Sequence, residues 1–199
     1  QRLIQTIHKS KSHDVRLTIT LLHWILTVSM MHATSDHFRR TMYSAMLTLA
    51  FHAFLRIEEI TVQTNEHQND TLIQISRVTL FHKFRFKHGL GQLYILHVAA
   101  QQNPATCPIA HLQAYLTLRG NTLGPLFMNQ NGQPNSRIEF STELRRVLCF
   151  CGFNSNHLKS HSFRVGHATE ESRQGFNDNQ IRELGPWRSD AFKKYIALG

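Results

Sequence analysis

His161-Ser162-Phe163-Arg164-Val165-Gly166-His167-Ala168-Thr169, followed by Leu184-Gly185-Pro186-Trp187-Arg188-Ser189-Asp190-Ala191-Phe192-Lys193-Lys194-Tyr195-Ile196, is the stretch of this 199-residue chain that decides how the rest is read. His161 and Arg164 stand three apart, which puts them on one face of a helix. Alone, H-x-x-R arises by chance in many proteins. Here it belongs to an ordered set: Leu55-Arg56-Ile57-Glu58-Glu59, a lysine in a β-hairpin, H-S-F-R-V-G-H-A-T, L-G-x-W, and then a tyrosine.

Working outward, residues 1–15 are polar and basic with weak periodicity and read as a linker. Apolar residues recur at helical spacing from Leu17 to about Ala33. Ser35-Asp36 offers an N-cap, and His37–Phe54 continues as an apolar-faced helix. A short helical piece carries Leu55–Ile60. After Thr71 the period changes. Leu72, Ile73, Ile75 and Val78 suggest one strand. In Phe81–Lys87, Phe84 and Phe86 alternate with Lys83, Arg85 and Lys87. Gly89-Leu90-Gly91 makes a turn and Leu93–Val98 a return strand, so Lys87 falls near the tip of a hairpin, on its cationic face. Helices are expected again at about Pro108–Arg119, Ser141–Cys151, Ser162–Gln174, Asp178–Leu184 and Asp190–Ala197, with Gly175 and Gly185 as stops. The pattern is mostly helical with one small antiparallel sheet.

Composition narrows the function. Apolar residues make up 41% and charged residues 18%, which excludes disorder of the whole chain. The length suits one domain with a substantial core. Lys and Arg number 22 against 13 Asp and Glu, a formal charge of +9, and no acidic residue occurs between Thr71 and Ile138. Clustered cations of this kind are the footprint of a polyanion binder. Cys107, Cys149 and Cys151 are odd in number, Cys149 and Cys151 are too close for an ordinary disulfide, and no C-x-x-C suggests zinc; a reducing compartment follows. The longest apolar stretch, Leu17–Met31, is interrupted by His23, Trp24 and hydroxyl residues and falls short of a membrane span. No signal peptide is evident, and a chain beginning at Gln1 reads as a piece of a longer one.

The ordered set resembles the catalytic domain of the tyrosine recombinases, the phage-integrase family. It is most similar to the eukaryotic transposon branch, the DIRS-like and Crypton-like recombinases, which carry H-S-F-R-x-G-x-A-T followed by L-G-x-W-x-S-D-A-[FY]-K-x-Y-I. The resemblance extends through VRLTIT (Val15–Thr20), FLRIEEIT (Phe54–Thr61), FKHG (Phe86–Gly89), CPIAHLQAYLTLR (Cys107–Arg119) and GPLF (Gly124–Phe127). It implies a mainly α fold with a small three-stranded antiparallel sheet. Residues 1–15 would be a linker from a missing N-terminal DNA-binding domain, and residues 16–199 the catalytic domain.

The resemblance also implies a reaction: DNA cleavage, exchange and rejoining without metal, ATP or any other cofactor. Tyr195 would attack the scissile phosphate to give a 3′-phosphotyrosine and release a 5′-hydroxyl. Arg56 and Arg164 would grip the non-bridging oxygens, Lys87 would protonate the leaving oxygen, His161 would accept the tyrosine proton, and Glu59 would orient its neighbours. Most members have a histidine nine residues before the nucleophile. Here Pro186 stands there, and the role passes to the indole N–H of Trp187. Val165 is a second departure, where many integrases have His. Lys83, Arg85, Arg145, Arg146, Arg188, Lys193 and Lys194 would meet DNA phosphates. The implied partners are double-stranded DNA and three further copies of the chain, with no membrane. The location would be the nucleus in a eukaryote, otherwise the cytoplasm or nucleoid.

These residue types suit the chemistry on independent grounds. A phosphodiester gains negative charge as a nucleophile arrives, and planar guanidiniums offer it paired donors. Tyrosine, with a pKa of about 10, needs a base or an electropositive site. A lysine beside other cations has its pKa pushed down, as a general acid requires. No acidic cluster suggests Mg²⁺, so cationic side chains must answer the charge.

Plainer readings compete. Arg56 could form an ion pair with Glu59, Tyr195 could be a core residue, and Lys83 shares the strand face of Lys87. His167 fits a packed helix histidine, and His23, His52 and His111 fit satisfied core or boundary groups. Arg145-Arg146 and Lys193-Lys194 could be solvated faces. At the level of function, the competitors are a catalytically inactive DNA-binding module derived from a recombinase and a type IB topoisomerase-like enzyme that relaxes DNA.

Overall fold

The structure, a computed structural model, describes residues 19–26, 35–62, 83–84, 98–153, 162–184 and 193. In chain order its elements are α1 (Ile19–Trp24), α2 (His37–His52), α3 (Ile57–Ile60), β1 (Lys83–Phe84), β2 (Val98–Ala99), a 3₁₀ turn (Pro104–Thr106), α4 (Pro108–Arg119), α5 (Arg137–Phe150), α6 (Ser162–Arg173) and α7 (Asp178–Leu184).

The arrangement follows from α2. Its stretch from Met42 to His52 (MYSAMLTLAFH) has no Lys, Arg, Asp or Glu, and all eleven residues are buried. The sequence suggested an apolar face; over this stretch the helix is instead enclosed on every side, as a segment without a charged face must be. Its start is set by Asp36, whose Oδ1 accepts the N–H groups of Phe38 (2.9 Å) and Arg39 (3.2 Å). Polar groups inside are answered locally. Thr48 Oγ1 donates to Ser44 O at 2.8 Å, and His52 Nε2–H donates to Thr106 O at 3.1 Å.

Around this spine, α4 makes the most extensive contact, with α6 against another side. Phe38 meets the Tyr115 ring edge-on at 5.9 Å, and Tyr115 stacks on Phe127 at 5.4 Å. Phe140 of α5 bridges Tyr43 and Phe163, each at 6.2 Å. α5 begins at Arg137, earlier than the Ser141 expected. Ser136 and Glu139 exchange main-chain N–H bonds in a capping box (3.1 and 2.8 Å), a S-x-x-E signal that the apolar periodicity obscured. α6 closes with the 6→1 and 5→2 bonds of a Schellman turn, from Phe176 N to Glu171 O and from Gly175 N to Ser172 O. Gly175 takes the left-handed position (φ 91°) expected of a stop.

The expected three-stranded sheet is not seen among the described residues. They hold two strands of two residues, antiparallel with Lys83 opposite Ala99 and Phe84 opposite Val98. The expected strand over 72–78, the rest of the hairpin, the linker over 1–15, the Gly185 stop and all of the expected 190–197 helix except Lys193 lie outside the described residues. None of the three cysteines forms a disulfide among the described residues. No helix among the described residues is long and apolar enough to cross a membrane.

Beyond α4, the chain over 120–128 is fastened from within. The buried Tyr115 hydroxyl donates to Met128 O (3.0 Å) and accepts Met128 N–H (2.8 Å). The Arg119 guanidinium donates to the carbonyls of Gly120, Thr122, Pro125 and Leu126. Removing the hydroxyl strands a main-chain donor and an acceptor. Tyr115→Phe is therefore expected to lower the unfolding free energy by about 1–3 kcal/mol, read as a lower urea midpoint at unchanged slope. An unmoved midpoint would show that this segment is held by other contacts.

Candidate active site

The C-terminal end of α2 brings two of the sequence boxes together. The helix stops in a Schellman turn, with Leu55 N bonded to Ala50 O (3.0 Å) and Phe54 N to Phe51 O (3.3 Å). The left-handed position, normally glycine, is filled by Phe54 at φ 52°. Such a backbone costs about 1–2 kcal/mol. Burial of the Phe54 ring, 1% exposed, returns about 2–3 kcal/mol and outweighs it.

This turn orients two arginines. Arg164, buried in α6, donates from Nε to the Phe54 carbonyl at 2.7 Å, across 110 residues of sequence. The last carbonyls of a helix lack intrahelical partners and carry its negative dipole end, so the end of α2 is a favourable seat for a buried guanidinium. Two residues on, Arg56 is extended (φ −82°, ψ 152°) at the N-terminus of α3, with its side chain exposed. Glu59 is buried, and its Oε2 accepts the Arg56 main-chain N–H at 2.8 Å. Among the described residues the Arg56 guanidinium forms no ion pair. Glu59 holds the backbone that presents Arg56, a different contact from the side-chain pair the sequence left open. From the other side, α3 is fixed by α5: Val62 N–H donates to Asn135 O (3.1 Å), Arg137 N–H to Val62 O (2.8 Å), and the Arg137 side chain pairs with Glu58 at 3.1 Å.

Three imidazoles fit the plainer reading. His23 Nδ1 lies 3.3 Å from Asn103 Nδ2, His111 Nε2 donates to Ala105 O at 2.9 Å, and His52 bonds Thr106 O as above. His167 is buried in the same cluster, its ring 4.4 Å from Phe54, 4.8 Å from Phe51 and 5.3 Å from His52, with Nε2 3.5 Å from Glu171 Oε1. Burial, and secondarily His52, lowers the pKa of His167 to about 3. Burial lowers that of His52 to about 4, against the raising effect of its bond to Thr106.

Of the other expected site residues, Arg145 is exposed on α5. Arg146 bonds the buried carboxylate of Glu143, which also takes Arg39 at 3.3 Å, so this guanidinium neutralises an internal charge. Lys193 is exposed, with Nζ 3.6 Å from Asp178 Oδ2. Lys83 is described in its backbone only, in β1. Lys87, His161, Trp187, Tyr195, Arg85, Arg188 and Lys194 lie outside the described residues. A concavity of about 490 Å³, lined by Asp36, His37, Arg119 and Asn129 among others, sits at the opposite end of α2 and touches neither Arg56 nor Arg164. Sequence reasoning missed Phe54, because nothing in a phenylalanine announces a left-handed backbone. It also missed Arg137, whose place beside α3 depends on a pairing of residues far apart in the chain.

No protein-family model matches the chain, and no curated protein does. Solved structures do. The XerH site-specific recombinase bound to difH substrate, a pre-cleavage complex, matches with a TM-score of 0.66 at 15% identity, over 92% of this chain and 49% of its own. XerA recombinase matches at 0.67 and 19%, over 93% and 60%. The Tn1549 transposon integrase in complex with circular intermediate DNA matches at 0.59 and 14%, over 94% and 62%. The fold is therefore one that these recombinases and this integrase share, and this chain spans between 49% and 62% of the length of those chains.

The two depressed imidazoles make stability depend on pH. Both are neutral in the folded chain at pH 7, and both protonate on unfolding once the pH falls below their ordinary value of 6.5. Their contribution is complete above about pH 6.5 and is lost as the pH falls toward about 4 for His52 and about 3 for His167. Glu171 acts in the opposite sense, since burial and Glu170 hold its carboxyl above the usual range. Two groups outweigh one: the unfolding free energy at pH 5 is expected to lie at least about 2 kcal/mol below that at pH 7. His167→Phe should flatten the slope in urea titrations; an already flat native profile would contradict the buried neutral pair.

Proposed function

We propose that this chain is the catalytic part of an enzyme that cuts and rejoins DNA through a 3′-phosphotyrosine, serving site-specific recombination or integration of a mobile element. The observation that carries the reading is the Arg164–Phe54 bond. It fastens the H-S-F-R box to the turn that presents Arg56, within a fold shared with recombinases and an integrase solved with their DNA. Paired guanidiniums on separate elements, one buried and one exposed, suit a phosphodiester that must be gripped on its non-bridging oxygens.

The reaction balances without an external energy source. The Tyr195 oxygen bonds to phosphorus as the bond from phosphorus to the 5′-oxygen breaks. The phenolic proton passes to His161, and Lys87 supplies a proton to the leaving oxygen. Arg56, Arg164 and the Trp187 indole N–H hold the charge that develops on the phosphate. Glu59 steadies the Arg56 backbone. The phosphotyrosine keeps the energy of the broken linkage, so a 5′-hydroxyl from another strand reverses the steps and completes the exchange. Metal and ATP have no part in this scheme.

The proposal extends to context. The transposon-like boxes favour an element of the DIRS-like or Crypton-like kind, acting in the nucleus of a eukaryotic host. Residues 16–199 would be the catalytic domain, joined through residues 1–15 to a DNA-binding domain, with four protomers assembled on two duplexes. Lys83, Arg85, Arg145, Arg188, Lys193 and Lys194 would meet phosphates, as would Arg146 if it left Glu143.

A nicked duplex carrying the terminal sequence of the encoding element tests this reading in the presence of EDTA. A covalent protein–DNA adduct is expected from the native chain and not from Tyr195→Phe. An adduct that persists in the phenylalanine variant would overturn the nucleophile assignment, and none from either would leave a DNA-binding module. Arg56→Ala should slow adduct formation by about 10³-fold or more. Because Arg56 is exposed, the same change should shift stability by no more than about 0.5 kcal/mol.

A further inference from the structure

Building on that function, we infer that His167 is a positioning residue: by holding the ring of left-handed Phe54 it fixes the carbonyl that orients Arg164. Arg164 and His167 stand three apart on α6 and meet the same turn. Arg164 takes the Phe54 carbonyl at 2.7 Å, and His167 takes the Phe54 ring at 4.4 Å, inclined by 48°. The direction of that carbonyl is set by the Phe54 backbone torsions. A non-glycine residue at φ 52° keeps them only while its surroundings hold it there. The ring supplies the hold. It is 1% exposed, and the imidazole that covers it is braced by Phe51 at 4.8 Å and His52 at 5.3 Å.

What the imidazole supplies at this place is its flat ring, not its polar atoms. Its Nδ1 is buried without a hydrogen-bond partner among the described residues, a penalty that a hydrocarbon ring would avoid. Its Nε2 lies 3.5 Å from Glu171 Oε1, one turn further along α6. His167 is thereby placed to act through Phe54 and Arg164, not on the phosphate itself. Arg164 would then sit on a pedestal whose height and tilt depend on a packed aromatic pair. Displacement of a reacting group by about 1 Å can cost about 10²-fold in rate while the substrate still binds.

The test compares the native chain with His167→Ala and His167→Phe on the nicked duplex, reading cleavage rate at saturating DNA and DNA affinity separately. His167→Ala is expected to slow cleavage by about 10–100-fold with affinity changed less than about twofold, and His167→Phe to recover to within about threefold of native. A second readout does not need activity: the ¹⁵N-labelled side-chain Nε–H of Arg164, identified by its loss in Arg164→Lys. Its protection from solvent exchange should survive in His167→Phe and vanish in His167→Ala. Should His167→Ala fail to fold, Phe54→Gly is compared with Phe54→Gly/His167→Ala: glycine takes the left-handed turn without strain, so with no ring to hold, the second change is expected to alter rate and Nε–H protection by less than about twofold. Native rate and native Nε–H protection in the folded alanine variant would overturn the inference, as would a His167→Phe chain as slow as the alanine variant, or a loss of about 10-fold or more on adding His167→Ala to Phe54→Gly. If the native chain forms no adduct dependent on Tyr195, the proposed function fails instead, and Arg164 protection alone decides the clamp.

Discussion

A guanidinium enclosed by protein must have its donors answered, and the answer at Arg164 Nε is the carbonyl of Phe54. The rest of the arrangement depends on that requirement. The carbonyl is available because it stands just past the end of a helix, where main-chain acceptors run out of donors. It points toward α6 because the chain turns left-handed there. The same turn delivers Leu55 into the core and Arg56 to the surface two residues later. One hydrogen bond thus links the helix that forms the core, the arginine that is exposed and the arginine that is not.

The core explains why this junction is firm. α2 is covered on all sides from Met42 to His52, so its end does not fray into water as a surface helix end does. α3 is only four residues long and would not persist alone. It persists because Glu59 answers the Arg56 N–H, Thr61 Oγ1 donates back to Ile57 O at 2.7 Å, and α5 is bonded across Val62. Arg56 is therefore an exposed side chain on a rigid base, the combination that grip on a substrate oxygen asks for.

Much of this was legible in the sequence, for identifiable reasons. The Asp36 cap, the bounds of α4 and α7 and the Gly175 stop follow from local chemistry: a carboxylate before a helix, Pro108 at its first position, a glycine after its last. The ordered boxes pointed to the fold that the solved recombinases share. What stayed hidden depends on contacts between distant residues. No local pattern states that α2 is covered on every side. Nor does any pattern state that Glu59 bonds a main-chain N–H, or that Phe54 adopts a backbone usually left to glycine. Nor does the formal +9 state which cations are paired: Arg39, Arg137 and Arg146 remain half exposed, yet each stands against a carboxylate, Glu143 or Glu58.

The Phe54–His167 contact binds the histories of two positions. A chain that exchanged Phe54 for glycine would have no strained turn to hold, and position 167 could then drift among small or polar residues. A chain that keeps an aromatic at 54 is obliged to keep a flat partner at 167. In a divergent set of such chains the two sites should change in step, and a lineage would cross from one pairing to the other through the glycine first.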